Sequence, residues 1–213
     1  VVDQLRRSRC RAVVVTPAHQ FPTGAVMAPE RRHALLRWAR SSGGLIVEDD
    51  YDAEFRYDRT PVGALQGLGP DVVLYGGSVS KTLAPGLRLG WLVVPPDLLD
   101  TYRAAKYAAD LACGVMDQAT LAEFLARGEM DRHIRRRAVE YRHRRDALVD
   151  AVATHLPGWH VAGTAAGLHG VLHPPAGDDE ATAALAQACG LDARPLSGYC
   201  VDTRRQGLVV GYG

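Results

Sequence analysis

The sequence predicts an α/β fold in which a mostly parallel sheet is followed by a small α+β unit. Three observations predict it. Short apolar runs rich in β-branched residues alternate with helical stretches, each run breaks off into a polar cluster, and the pattern changes beyond Asp131. The first strand is Ala12 to Val15, a continuous run of the kind buried on both faces. Thr16-Pro17 ends it, and the loop Ala18-His19-Gln20-Phe21-Pro22-Thr23-Gly24 follows. Pro29 opens a helix with Leu35, Trp38 and Ala39 on one face, and Gly43-Gly44 closes it. Leu45 to Val47 is a second buried strand, cut off by Glu48-Asp49-Asp50-Tyr51-Asp52. Val72 to Tyr75 is a third and runs into Gly76-Gly77-Ser78-Val79-Ser80-Lys81; Trp91 to Val94 is a fourth, closed by Pro95-Pro96. This order with turn-rich crossovers makes the sheet mostly parallel.

Beyond Pro96 the pattern is helical, over Asp97 to Ala112, Asp117 to Ala126 and Met130 to Leu156. Strands follow at Gly158 to Ala162 and Leu168 to His173, then a helix at Asp179 to Ala188, then strands near Ala193 and Leu208. The division is placed near Asp131. Residues 1–130 then form the C-terminal part of a larger domain, and residues 131–213 a small C-terminal domain with a truncated end. The chain starts Val-Val-Asp, with neither methionine nor signal peptide, and stops on Gly-Leu-Val-Val-Gly-Tyr-Gly. It reads as part of a longer polypeptide.

Composition narrows the class. Of 213 residues, 47% are hydrophobic and 23% charged, which excludes a disordered or collagenous chain. No apolar run reaches the roughly 20 residues that span a bilayer. The net charge is +1, so no overall field draws the chain onto nucleic acid or anionic lipid. Arg135-Arg136-Arg137 is followed by Glu140, Asp146 and Asp150 and reads as a solvated helix face. Four scattered cysteines without a Cys-x-x-Cys pair argue against a disulfide framework or zinc site and suit a reducing cytoplasm. Lysine occurs only as Lys81 and Lys106, against 23 arginines, so each lysine needs a reason.

The chemistry gathers where strands end. In open α/β sheets ligands sit in the crevice beyond the carboxyl ends of the strands. Three clusters converge there: Thr16 to Gly24, Glu48 to Asp52, and Ser78 to Lys81, with Arg88 seven residues on. Taken singly, each residue has a plain reading, as a loop cap or a surface charge. A phosphate-binding P-loop fails, because Tyr75 and Ser80 occupy its glycine positions and Pro85-Gly86 interrupts the helix it requires. A magnesium site on Glu48, Asp49, Asp50 and Asp52 explains the acids but leaves Lys81 and Arg88 without a role. Pyridoxal 5'-phosphate uses the whole set. It needs a lysine amine for its aldehyde, a carboxylate at its ring nitrogen, a donor at its phenolic oxygen, and a guanidinium with hydroxyls at its phosphate. Lys81, Asp49, Tyr51, Arg88 and Ser78 supply these in turn.

Ser-Val-Ser-Lys-Thr-Leu-Ala-Pro-Gly-Leu-Arg-Leu-Gly-Trp, from Ser78 to Trp91, resembles the cofactor-lysine segment of fold-type I aminotransferases. Glu48 to Tyr57 and Thr16 to Gly24 are similar to the aminotransferase-like half of MocR-type regulators of the GntR class. The resemblance implies a lysine Schiff base at Lys81, Asp49 at the pyridine nitrogen and Tyr51 at the phenolic oxygen. It places Ser78, Ser80 and Arg88 around the phosphate and His19 or Gln20 near the ring. It further implies a small amino-compound effector or substrate, a homodimer, and contact with DNA only through a winged-helix domain upstream of Val1. The glycine-rich phosphate loop and the ring-stacking aromatic of the family would also lie upstream. Some relatives carry a carboxylate-gripping arginine in Leu-Ser-Arg-Tyr; here the segment is Leu196-Ser197-Gly198-Tyr199, with Arg194, Arg204 and Arg205 as possible substitutes. The expected function is the effector-sensing part of such a regulator, and the alternative is a free-standing aminotransferase acting on an amino acid.

Overall fold

A computed structural model of the chain describes residues 2–58, 62–201 and 204–213. It divides into two compact units. The first comprises residues 2–19, 26–51 and 62–133, and the second residues 20–25, 52–58, 134–201 and 204–213.

The first unit is built on strands β1 (Ala12–Val15), β2 (Leu45–Asp50), β3 (Val73–Ser78) and β4 (Gly90–Val93), hydrogen-bonded in that order. β1, β2 and β3 run parallel, while β4 is antiparallel to β3. A short helix, α1 (Val2–Ser8), precedes β1; the sequence pattern does not announce it, because only Val2 and Leu5 pack on the core. Helix α2 (Pro29–Ser42) covers one sheet face with Leu35, Leu36, Trp38 and Ala39, which pack on Ile46, Leu65 and Val73. A buried tryptophan removes roughly 150–250 Å² from water, so Trp38 is the main anchor of this layer. The helix stops where expected: Gly43 takes the left-handed conformation (φ 64°) that a side chain would oppose. Gly44 then lies under Trp38, where an added Cβ would stand 2.8 Å from the indole.

Two strands are more open than their apolar sequences predict. Val14 in β1 is 70% exposed, and Trp91, Leu92 and Val93 in β4 are all exposed. Both strands stand at the ends of the order among the described strands, and Val14 and Leu92 lie on the face opposite α2. Helices α3 (Leu99–Asp110), α4 (Val115–Ala126) and α5 (Glu129–His155) follow. No described helix is long and apolar enough to cross a membrane. The arginine run on α5 is a solvated face: Arg135 and Arg136 are exposed, and Arg137 and Arg144 both pair with Glu140. The four cysteines carry free thiols.

The second unit holds an antiparallel sheet in the order β5 (His160–Ala162), β6 (His169–His173), β8 (Leu208–Gly211) and β7 (Ala193–Pro195), with helix α6 (Asp179–Ala188). Its core joins Val152, Leu172, Ala183, Ala193, Leu208 and Val210. The sequence reading draws the domain division as one cut near Asp131. In the structure the change falls after His133, inside α5, and segments 20–25 and 52–58 also belong to the second unit. Backbone hydrogen bonds hold the latter segment there: Tyr57 N–H donates to Ala165 O (2.9 Å) and Gly167 N–H to Phe55 O (2.7 Å). Phe55, Tyr57 and Tyr212 form a further core cluster with Ile134, Ala138 and Tyr141. Segment 20–25 meets residue 163 through glycines. Gly24 and Gly163 both have positive φ, and a Cβ on Gly24 would lie 2.3 Å from the Gly163 Cα.

Candidate functional site

The candidate site lies at the carboxyl ends of β2 and β3. Asp49 pairs in register with Gly76, and Ser78 lies two residues further along β3. Side chains alternate along a strand, so Asp49 and Ser78 share the face opposite α2. Asp49 is exposed there, within reach of a ligand.

Its neighbours serve other purposes. Glu48, 2% exposed on the α2 face, accepts the N–H groups of Leu65 (2.7 Å) and Gln66 (2.8 Å). Burial pushes its carboxyl above the ordinary range, and the two amides only partly offset that. Asp50, also on the α2 face, accepts from the Tyr75 hydroxyl at 2.9 Å. Consecutive acids therefore diverge, and Glu48 is committed to backbone amides. This is a poor frame for the magnesium reading.

The connection from β3 to β4 carries the remaining groups. Val79 N–H donates to Leu89 O (3.1 Å) and Leu83 N–H to Val79 O (2.8 Å), which folds the segment back beside Ser78. Ser80 N–H reaches the Ser78 hydroxyl at 3.4 Å. Lys81 projects from this turn and is exposed, whereas Lys106 lies on α3 with its ammonium on Asp110 (2.7 Å) and Cys113. Arg88 is exposed and adopts a left-handed conformation (φ 51°, ψ 28°), uncommon for any residue but glycine. Gly90, paired with Ser78, admits no side chain: a Cβ there would lie 2.8 Å from Gly77 O.

Tyr51 and Gln20 both engage the loop after β1. The Tyr51 hydroxyl donates to the backbone carbonyl of His19 (3.0 Å), tying the loop after β1 to the end of β2, and His19 is itself 1% exposed. Gln20, in the second unit, directs its side chain into its own loop, donating to Phe21 O and accepting from Thr23 N–H (3.2 Å). In the same unit Phe21 meets His169 and Tyr199 edge-on, with ring centroids at 5.1 and 5.2 Å. Gly198 faces open space, where an added Cβ would touch nothing within 4 Å.

Two residues escaped sequence reasoning. Asp179, 1% exposed, accepts from Ser197 N–H (2.9 Å), the Ser197 hydroxyl (2.7 Å) and Gly207 N–H (3.1 Å), holding the turn that precedes Gly198. His133 contacts the carbonyl of Thr82 at 2.8 Å. Asp179 follows Asp178, which caps α6 by accepting from Glu180 N–H, so the pair reads in sequence as a helix start. His133 reads as one more polar residue on a charged helix. An apolar groove of about 740 Å³ runs between Leu83, Leu87 and Leu89 and the Met116, Leu121 and Phe124 side chains; none of Asp49, Ser78, Lys81 and Arg88 lines it.

Residues 2–206 match the family described as aminotransferase class I and II. The chain belongs to that family. It is 37% identical to the uncharacterized HTH-type transcriptional regulator YhdI of Bacillus subtilis, over 99% of this chain and 46% of that protein. It is 36% identical to the regulatory protein MocR of Rhizobium meliloti, over 99% of this chain and 43% of the relative. The chain thus spans less than half the length of these curated relatives. Among solved structures, the kynurenine aminotransferase of Pyrococcus horikoshii, in complex with PMP, superposes with a TM-score of 0.87 at 28% identity. That match covers 99% of this chain and 54% of the enzyme. A mostly parallel sheet together with a smaller antiparallel one is the fold-type I aminotransferase architecture.

Proposed function

We propose that this chain is the pyridoxal 5'-phosphate-binding, effector-sensing part of a MocR-type transcription regulator. One observation carries the reading: the β3–β4 connection sets Ser78, Ser80, Lys81 and Arg88 at the strand ends where Asp49 is exposed. The donor set suits the cofactor group by group. When bound, pyridoxal phosphate supplies an aldehyde that accepts amines and a ring that withdraws electrons while its nitrogen stays protonated. Asp49 holds the proton at that nitrogen as a charge-assisted hydrogen bond. Arg88 presents a planar, two-pronged donor to phosphate, and the Ser78 and Ser80 hydroxyls add single donors. Lys81 offers the only lysine amine in this region. Tyr51, whose hydroxyl rests on the His19 carbonyl, braces the loop after β1 and would serve the phenolic oxygen.

In this reading a small amino compound competes with Lys81 for the aldehyde, and the difference in affinity between two arrangements of the complete protein is the signal. DNA contact, a homodimer and a cytoplasmic setting belong to the same proposal. The regulator reading is favoured by matches to YhdI and MocR that run along 99% of the chain. The likeness to kynurenine aminotransferase supports the second reading, a free-standing aminotransferase in which Lys81 moves the proton. Borohydride reduction of the complete protein with pyridoxal phosphate, followed by peptide mapping, tests the common core. Label at Lys81 is expected; label at Lys106 alone would refute it. Effector-dependent DNA binding without turnover then separates regulator from enzyme.

A further inference from the structure

We propose that His133 is a positioning residue for Lys81, acting through the Thr82 carbonyl. This rests on the reading of Lys81 as the cofactor-bearing lysine. His133 lies in the second turn of α5, and its Nε2 stands 2.8 Å from Thr82 O, across 51 residues of sequence. A carbonyl only accepts, so Nε2 carries the hydrogen and donates. Every other hydrogen bond described for residues 79–83 stays between Ser78 and Leu89. The turn is therefore folded by local bonds, and His133 is the side chain that ties it to a helix.

Thr82 makes that tie decisive. It is 2% exposed, and its hydroxyl is buried without a hydrogen-bond partner. Its side chain is thus sunk in the protein while its polar fastening is the carbonyl. A single planar peptide unit joins the Lys81 Cα to the Thr82 Cα, so anchoring Thr82 by both its buried side chain and its carbonyl limits the directions in which the Lys81 side chain can leave the turn. Lys81 itself is exposed, and among the described residues no hydrogen bond holds its ammonium. A lysine that must meet an aldehyde gains from being held near its reacting geometry, since misplacement by about an ångström can cost a large factor in rate.

The test compares the complete protein with its His133→Leu and His133→Gln forms, at a temperature where circular dichroism shows all three folded. Leucine removes the donor, while the terminal amide of glutamine can donate at a reach like that of Nε2. Two readouts are taken. One is hydrogen exchange at the Leu83 amide without cofactor; the other is borohydride-trapped pyridoxal phosphate at Lys81 relative to Lys106. His133→Leu is expected to speed the first and lower the second by roughly 2- to 12-fold, the range set by one hydrogen bond of ordinary net worth. His133→Gln is expected to restore both. Trapping at Lys81 that stays at the parent level in His133→Leu overturns the inference, whatever the exchange rate does. If the parent takes no label at Lys81, the underlying reading fails. Exchange then decides the tie alone: acceleration by leucine with rescue by glutamine upholds it, and no acceleration overturns it.

Discussion

Replacing Asp179 tests whether the turn before Gly198 is held as described. Its carboxylate accepts three hydrogen bonds, and both amides, Ser197 N–H and Gly207 N–H, fall on the same oxygen, Oδ2. In Asp179→Ala the Ser197 hydroxyl can rotate elsewhere, but the two amides cannot. At about 1–3 kcal/mol for each buried donor left unmade, the loss is roughly 2–6 kcal/mol. Asparagine can keep the arrangement, with its oxygen on both amides and its amide group donating to the Ser197 hydroxyl. Asp179→Asn then forfeits only the charge assistance, roughly 1–2 kcal/mol. Burial alone drives the Asp179 carboxyl up, but the bonds from Ser197 and Gly207 together outweigh it and hold it below its ordinary value. A depressed carboxylate contributes stability above its unfolded value, near pH 4, and loses it as pH falls through the folded value. The gap between parent and Asp179→Asn should therefore be full at pH 7 and close below about pH 4. Urea unfolding, read by amide exchange in β6 and β8, reports on this unit. Equal costs for alanine and asparagine, or an alanine cost under about 1 kcal/mol, would refute the reasoning.

Arg88→Gly should separate stability from binding. Glycine relieves the left-handed backbone but gains unfolded-state entropy, so the net change in stability stays under about 1 kcal/mol. Affinity for pyridoxal phosphate should fall while that for phosphate-free pyridoxal falls much less; equal losses would place Arg88 elsewhere. Asp49→Asn should weaken pyridoxal phosphate binding by about 10-fold or more, because a charge-assisted bond is replaced by a neutral one. Asp50→Asn, whose position faces Tyr75, should bind nearly normally by the same titration, and the reverse pattern would show that the strand register misassigns the two acids.

Most of the scaffold was legible because strand ends are written in residue type. Ala12 to Val15 ends at Thr16-Pro17, and the Asp49–Asp50 alternation follows from the twofold period of a strand. What stayed hidden depends on partners far away in sequence. Val14 reads as a core residue, yet within this chain it is 70% exposed at the end of the strand order. The direction of the Tyr51 hydroxyl depends on where the loop carrying His19 runs. Neither the three donors around Asp179 nor the carbonyl facing His133 leaves a local trace, since each lies at least 18 residues away.

The contact between Gly24 and Gly163 bears on how such proteins are found. A side chain at position 24 would collide with the backbone of residue 163, and one at 163 would come within 2.6 Å of Thr23 O. Each position is also fixed by its own positive φ, so no exchange at one site rescues a substitution at the other. The glycine of Pro22-Thr23-Gly24, a letter by which the sequence declares its kinship, is thus required by a backbone crossing. A descendant that had abandoned its chemistry would still be obliged to spell that glycine. Searches keyed to this tripeptide therefore select for the backbone crossing, whatever the strand ends carry.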